Sequence, residues 1–183
     1  MFSLTKSKEN YSIATDGKQK IYLNPSIRKS DDIIESDKEL ELLPSSKGRD
    51  VIYAFGASGS GKTHFLRRYA YQYNKMFPKN KVICFSDSGD RSDFKGIKNL
   101  KVLPMNLEPE DYEMIDPKKM FKNSLVIFDD VDSIPDKKKK NAIYKIRNIA
   151  LTTGRHYDCY MLVTSHIGAD GYETKIILNE AHK

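Results

Sequence analysis

The sequence is poor in the residues that staple a fold together or cross a membrane. It holds two cysteines, Cys84 and Cys159, and no tryptophan. Two thiols cannot complete a four-ligand zinc cluster, and the four histidines are scattered without ligand spacing. Both cysteines sit inside apolar runs and read as small buried hydrophobes, so a reduced, intracellular setting is expected. No apolar run approaches the ~20 residues of a membrane-spanning helix. The N-terminus is too polar for a secretory leader, and no membrane partner is expected. No internal repeat is visible.

The chain of 183 residues suits one α/β domain with a full core. Charged residues make up 31% with both signs mixed, and hydrophobic residues 39%, which favours a globular chain over a disordered one. The net charge of +6 admits a polyanionic partner such as nucleic acid, and equally a lysine-rich surface that is merely solvated.

The most informative stretch is Val51–Thr63, Val-Ile-Tyr-Ala-Phe-Gly-Ala-Ser-Gly-Ser-Gly-Lys-Thr. Its second half, Gly56-Ala57-Ser58-Gly59-Ser60-Gly61-Lys62-Thr63, fits G-x-x-x-x-G-K-[ST], the phosphate-binding P-loop. Val51–Phe55 is apolar, as a buried parallel strand should be, and the run from His64 reads as a helix. Glycines let backbone N–H groups approach phosphate oxygens closely. The helix start adds unpaired N–H groups and the positive dipole end. Residues 56–64 are therefore the candidate nucleotide-binding loop. Lys62 is expected on the β- and γ-phosphates, and the Thr63 hydroxyl on Mg²⁺.

Ahead of this loop, Tyr11–Leu23 reads as a hairpin turning at Asp16-Gly17. Residues 30–41 are polar and acidic. The expected division is an N-terminal extension, 1–48, whose hairpin packs on the main sheet, and a P-loop domain, 49–183. Beyond the loop, Phe77-Pro78 stops the first helix. Strands are expected at 81–85, 101–103, 124–128 and 158–164. A helix is expected over 136–153 with Ala142, Ile143, Ile146, Ile149 and Ala150 on one face, another over 173–182, and partial helix over 108–121. Strands alternating with helices predict a mostly parallel central sheet flanked by helices, the P-loop NTPase class.

Leu125-Val-Ile-Phe-Asp129-Asp130 is an apolar strand ending in acids, where open α/β sheets bind ligands. Such an acid also serves as a helix N-cap. Beside a P-loop, Asp129 is expected to hold Mg²⁺ and Asp130 to polarise the attacking water. The second acid suggests an ATP hydrolase rather than a kinase or a GTP switch. Lys137-Lys138-Lys139-Lys140 at a helix start opposes the helix dipole. It is either a solvated face or a contact for nucleic-acid phosphates. Arg155 opens a strand at the sheet edge away from the nucleotide, so it is an ordinary surface arginine or a finger for a neighbouring subunit. Thr164-Ser165-His166 ends its strand on the nucleotide side. There His166 can sense the γ-phosphate and the attacking water, or simply start a helix or sit satisfied.

Taken in order, Gly56–Thr63, Asp129-Asp130, Gly154-Arg-His-Tyr157, Thr164-Ser-His166 and the Asn179-Glu-Ala-His182 end resemble the genome-packaging ATPases of large double-stranded DNA viruses and virophages. These form the poxvirus A32-like branch of the FtsK–HerA superfamily. The resemblance runs from Val51 to the C-terminus. It implies an ATP- and Mg²⁺-dependent motor that forms a ring, a pentamer or hexamer, and pumps double-stranded DNA into a preformed capsid. It also implies a trans-acting role for Arg155, a capsid vertex protein as partner, and a location in the host cytoplasm or viral factory and at a virion vertex. The sequence departs from the superfamily at His166, where glutamine is common. Such proteins also continue into a further strand beside the P-loop strand; either that strand is missing here or the N-terminal hairpin takes the edge.

Two other readings compete. A nucleotide or nucleoside kinase would need a lid, for which the Ser86–Phe94 loop with Arg91 is the candidate. A DNA-binding assembly factor would use nucleotide only as a structural ligand. A GTPase is disfavoured because no Asn-Lys-x-Asp element is present.

Overall fold

The computed structural model describes residues 4–5, 12–15, 20–23, 43–46, 48–87, 94–169 and 171–181. The Asp16-Gly17 turn, the segment 30–41, most of the Ser86–Phe94 loop with Arg91, and His182 lie outside the described residues. The chain divides into two compact units, Met1–Ser46 and Lys47–Lys183.

In the first unit, β1 (Leu4–Thr5), β2 (Ser12–Thr15) and β3 (Lys20–Leu23) form an antiparallel sheet in the order β1-β3-β2. β2 and β3 are the two arms of the expected hairpin, with Ala14 opposite Ile21 and a register shift between Ser12 and Ala14.

The second unit is built on a five-stranded parallel sheet in the order β4-β8-β7-β5-β6. Its strands are β4 (Val51–Phe55), β5 (Lys81–Ser86), β6 (Leu100–Pro104), β7 (Ser124–Phe128) and β8 (Cys159–Ser165). The helices are α1 (Lys62–Met76), α2 (Pro109–Glu113), α3 (Pro117–Met120), α4 (Lys137–Thr153) and α5 (Gly171–Glu180). Among the described residues β4 has β8 on one side and no strand on the other. β7, the most apolar run, is buried along its whole length because it has a strand on each side and helices over both faces.

Strand side chains alternate between faces, and two layers follow from that. Val51, Phe85, Val126, Phe128, Met161 and Val163 share one core with Ala142, Ile143, Ile146, Ala150 and Leu151 of α4 and Ile177 of α5. On the other face Tyr160 meets Tyr73 of α1 edge-on, with ring centroids 5.0 Å apart. Tyr69 of α1 donates to the buried Asp50 carboxylate at 2.6 Å, and burial together with that bond raises its hydroxyl pKa. Neither cysteine is in a disulfide and both are buried, and burial pushes the Cys159 thiol up to about 12, so it behaves as a small apolar group. No helix among the described residues is long and apolar enough to cross a membrane.

Helix α4 starts in spite of its lysines because Asp136 caps it. The Asp136 Oδ1 accepts the N–H of Lys138 at 2.8 Å and of Lys139 at 3.2 Å, and these bonds hold its carboxyl below the usual range. The apolar face of α4 differs from the sequence reading at one place. Ile149 is 46% exposed, and the position facing the interior belongs instead to Arg147, 2% exposed. Arg147 stays inside by bonding Glu173 of α5 and lying 4.1 Å over the Tyr144 ring.

These faces set a stability test. Ile143→Ala removes a fully buried side chain and is expected to cost about 2–5 kcal/mol, whereas Ile149→Ala should change stability by about 0.5 kcal/mol or less. Urea unfolding midpoints check this, and equal losses in the two variants would contradict the assigned faces.

Candidate active site

β4 carries the chain to the C-terminal edge of the sheet, and the P-loop continues its ladder, because the Gly56 N–H donates to the Ser165 carbonyl at 3.2 Å. The Ser60 N–H closes the turn on the Ala57 carbonyl at 3.2 Å. Gly59 and Gly61 have φ of 78° and 95°, which side chains rarely tolerate, so the loop needs glycine at both positions. Gly61 caps α1 with no side-chain hydrogen bond. The first N–H groups of the helix therefore have no side-chain cap competing for them, as an anion site requires. Residues 58–64, His64 included, line a depression with Asp130 and His166.

Lys62 lies against this loop. Its ammonium donates to the Gly56 carbonyl at 2.8 Å and lies 3.8 Å from Asp130 Oδ2 and 3.4 Å from His166 Nδ1. The His166 Nε2 is 3.1 Å from the same Asp130 oxygen. A neutral imidazole protonated on Nε2 satisfies both contacts: it accepts from Lys62 and donates to Asp130. Lys62 from the P-loop, Asp130 beyond β7 and His166 beyond β8 are thus one connected group.

The two acids after β7 are held apart by one hydroxyl. Thr164 Oγ1 donates to Asp129 Oδ1 at 2.9 Å and accepts the Asp130 N–H at 2.9 Å. Asp130 takes a left-handed conformation, φ 52° and ψ 43°, uncommon outside glycine but tolerated by aspartate. The turn leaves Asp129 buried at 8% exposure and brings Asp130 to Lys62. The donor set is hard oxygen throughout. Asp130 Oδ1 is buried without a hydrogen-bond partner among the described residues, and the Thr63 hydroxyl belongs to an exposed residue lining the depression. This fits Mg²⁺, which one or two carboxylates hold together with substrate phosphates. No cage of three or more His, Cys, Asp or Glu exists among the described residues, and Mg²⁺ of this kind does not require one.

Sequence reasoning missed Asp132. It follows Asp130 in a 3₁₀ turn, Val131–Ser133, and its Oδ2 accepts Ser165 Oγ at 2.8 Å and the His166 N–H at 2.9 Å. The only sequence signal was a third acid two residues after the pair. Tyr53 of β4 adds a bond to the Ile167 carbonyl at 2.7 Å.

The remaining candidates lie elsewhere. In Gly154-Arg-His-Tyr157 the ends are structural. A Cβ at Gly154 would lie 2.5 Å from the Arg49 guanidinium, which bonds the Leu151 carbonyl at 2.8 Å and pairs with Glu180 at 3.7 Å. Tyr157 is buried and shares a hydrogen bond with Thr153 at 3.0 Å. Arg155 is exposed, in the turn before β8, while the P-loop pairs with the far end of β8. In the lysine run, Lys139 bonds Glu108 at 2.8 Å and Lys140 bonds the Asp132 carbonyl at 3.3 Å, whereas Lys137 and Lys138 are exposed.

Comparison with known proteins agrees with this architecture. No family model matches the chain. The pCW3 conjugation coupling protein TcpA, solved in a monomer form with ATPγS, superposes with a TM-score of 0.55 at 11% identity. The match covers 75% of this chain and 48% of that one, so it spans about half of the solved chain. At this identity the likeness shows the fold, an α/β P-loop NTPase with a parallel sheet flanked by helices. The uncharacterized protein V3 of Sputnik virophage is 36% identical over 187 residues, covering 99% of this chain and 75% of V3. The chain belongs to the family of this virophage protein.

Proposed function

We propose that the chain is an ATP-hydrolysing motor that moves double-stranded DNA and packages a viral genome, in the manner of the A32-like branch of the FtsK–HerA superfamily. The observation that carries this is the meeting of Lys62, Asp130 and His166 over a glycine loop that ends in an uncapped helix start. In this reading Lys62 exchanges its contact with the Gly56 carbonyl for the β- and γ-phosphates of ATP. Thr63 and Asp129 would hold Mg²⁺, which would supply positive charge to the phosphates. Asp130 accepts a proton from the attacking water, and His166 reads the γ-phosphate position.

The likeness to a conjugation coupling protein and the virophage source of the relative support this reading. Lys137 and Lys138 serve as phosphate contacts for DNA, with Lys139 and Lys140 completing the run. Arg155 acts on the site of a neighbouring subunit in a ring of five or six. The ring works in the host cytoplasm or viral factory and at a virion vertex, seated on a capsid protein.

Steady-state hydrolysis with and without double-stranded DNA tests the reading. DNA should stimulate the wild-type protein. Lys62→Ala should lose on the order of 10²–10³ in rate, and Asp130→Asn should bind Mg·ATP yet hydrolyse it slowly. Near-normal turnover in Lys62→Ala would remove the P-loop from the chemistry. Transfer of phosphate to a nucleoside monophosphate would instead mark a kinase.

For DNA, the Lys137→Gln/Lys138→Gln variant is expected to bind every sequence more weakly, with a salt slope flatter by about two. An unchanged slope would leave these lysines as a solvated face.

Arg155→Ala should bind ATP and DNA but lose about 10³ or more in rate, the usual worth of a finger supplied by a neighbour. Mixing it with Lys62→Ala, itself inactive, should restore activity where an intact P-loop meets an intact arginine. A co-assembled mixture that stays inactive would refute the trans-acting role.

A further inference from the structure

The sensor loop is held by a residue that the roles above leave unused. Asp132 gathers two donors on one carboxylate oxygen: the His166 N–H at 2.9 Å and, at 2.8 Å, the Ser165 hydroxyl, which is equally near the Ile167 carbonyl. From the other side the Lys140 ammonium holds the Asp132 carbonyl at 3.3 Å. Asp132 is therefore fixed at its backbone and at its side chain, between the N-terminus of α4 and the end of β8. The second carboxylate oxygen, Oδ1, is buried without a partner among the described residues. Asp132 also lines a cavity of about 20 Å³, which has room for one water molecule. Both carboxylate bonds fall on the two residues next to the phosphate end of the site. Bonds to an ionised oxygen are also roughly twice as strong as neutral ones.

We propose that Asp132 is a positioning residue that holds the His166 imidazole between Lys62 and Asp130, and so sets how the site reads the γ-phosphate. This rests on the hydrolytic reading, in which His166 is the sensor. Asp132 fixes the His166 backbone, the point from which the imidazole reaches both Lys62 and Asp130. Without that anchor the loop keeps the Tyr53 and Ser165 bonds at Ile167 but loses the backbone hold at His166.

Asp132→Ala and Asp132→Asn are the test, with melting temperature and ADP affinity measured alongside. Asp132→Ala is expected to lower kcat about tenfold or more while ADP affinity changes less than about twofold, a split that general loosening would not give. Asp132→Asn, which keeps an acceptor without the charge, should fall between the two. The preference for ATPγS over ADP should shrink in the same order, and this readout needs no turnover. It therefore judges the proposal even if the wild-type protein hydrolyses no ATP, a result that would count against the hydrolytic reading itself. In a His166→Ala background, Asp132→Ala should add less than about twofold to the loss. Additive effects in that cycle, parallel losses of ADP affinity and melting temperature, or an unchanged ATPγS-to-ADP ratio would each overturn the assignment.

Discussion

The hydroxyl of Thr164 does two things at once at the end of the central strands. It donates to Asp129 and accepts from the N–H of Asp130, joining β8 to the turn beyond β7. A hydrogen bond to a charged group contributes about 1.5–3 kcal/mol, and losing it would leave a buried carboxylate short of a donor. Its geometric effect is larger than its energy. With the Asp130 N–H held, the chain adopts a left-handed bend there, and the two consecutive acids separate. One stays inside with the threonine, and the other reaches the P-loop lysine.

The charges of the site are arranged as a chain rather than as pairs. Lys62, His166 and Asp130 are connected through the two ring nitrogens, and Asp132 holds the histidine from behind. Each contact comes from a different strand end, so the arrangement exists only when β4, β7 and β8 are in register. That register is set by burial, because a slip of one residue in β7 or β8 would exchange the side chains packed on the two covered faces and break both layers of the core. The core is therefore what aligns the chemistry.

Two arginines fasten the helical layer over this sheet. Arg147 ties α4 to α5 through Glu173, and Arg49 ties the end of α4 to Glu180 of α5. A buried ion pair is weak evidence of net stability, since desolvation opposes the attraction. Its value here is orientation: α4 carries the lysine run at one end and the Arg155 turn at the other, and both arginines fix how that rod lies. Gly154 makes room for the Arg49 guanidinium, which accounts for one residue of a motif whose other exposed members have no such structural duty.

The element order, the P-loop and the acidic strand were legible from local pattern. Apolar runs of five to seven residues, glycines at fixed spacing and an Asp cap act over a few neighbours, so the chain itself displays them. Ile149 shows where local pattern fails. Its spacing matches a core face, yet the interior place went to Arg147 because Glu173, distant in the chain, and the Tyr144 ring could receive the charge. Asp132 was illegible for the same reason. An acid two residues past an acidic pair carries no local signature, and only the parallel pairing of β7 with β8 brings Ser165 and His166 to it. From the sequence alone came the candidate phosphate-binding loop and the buried strands, since both depend on side-chain type and short-range spacing. The tertiary structure alone decided which acid faces Lys62, which lysines remain exposed and what holds His166, because each is settled by a contact between segments far apart in the chain.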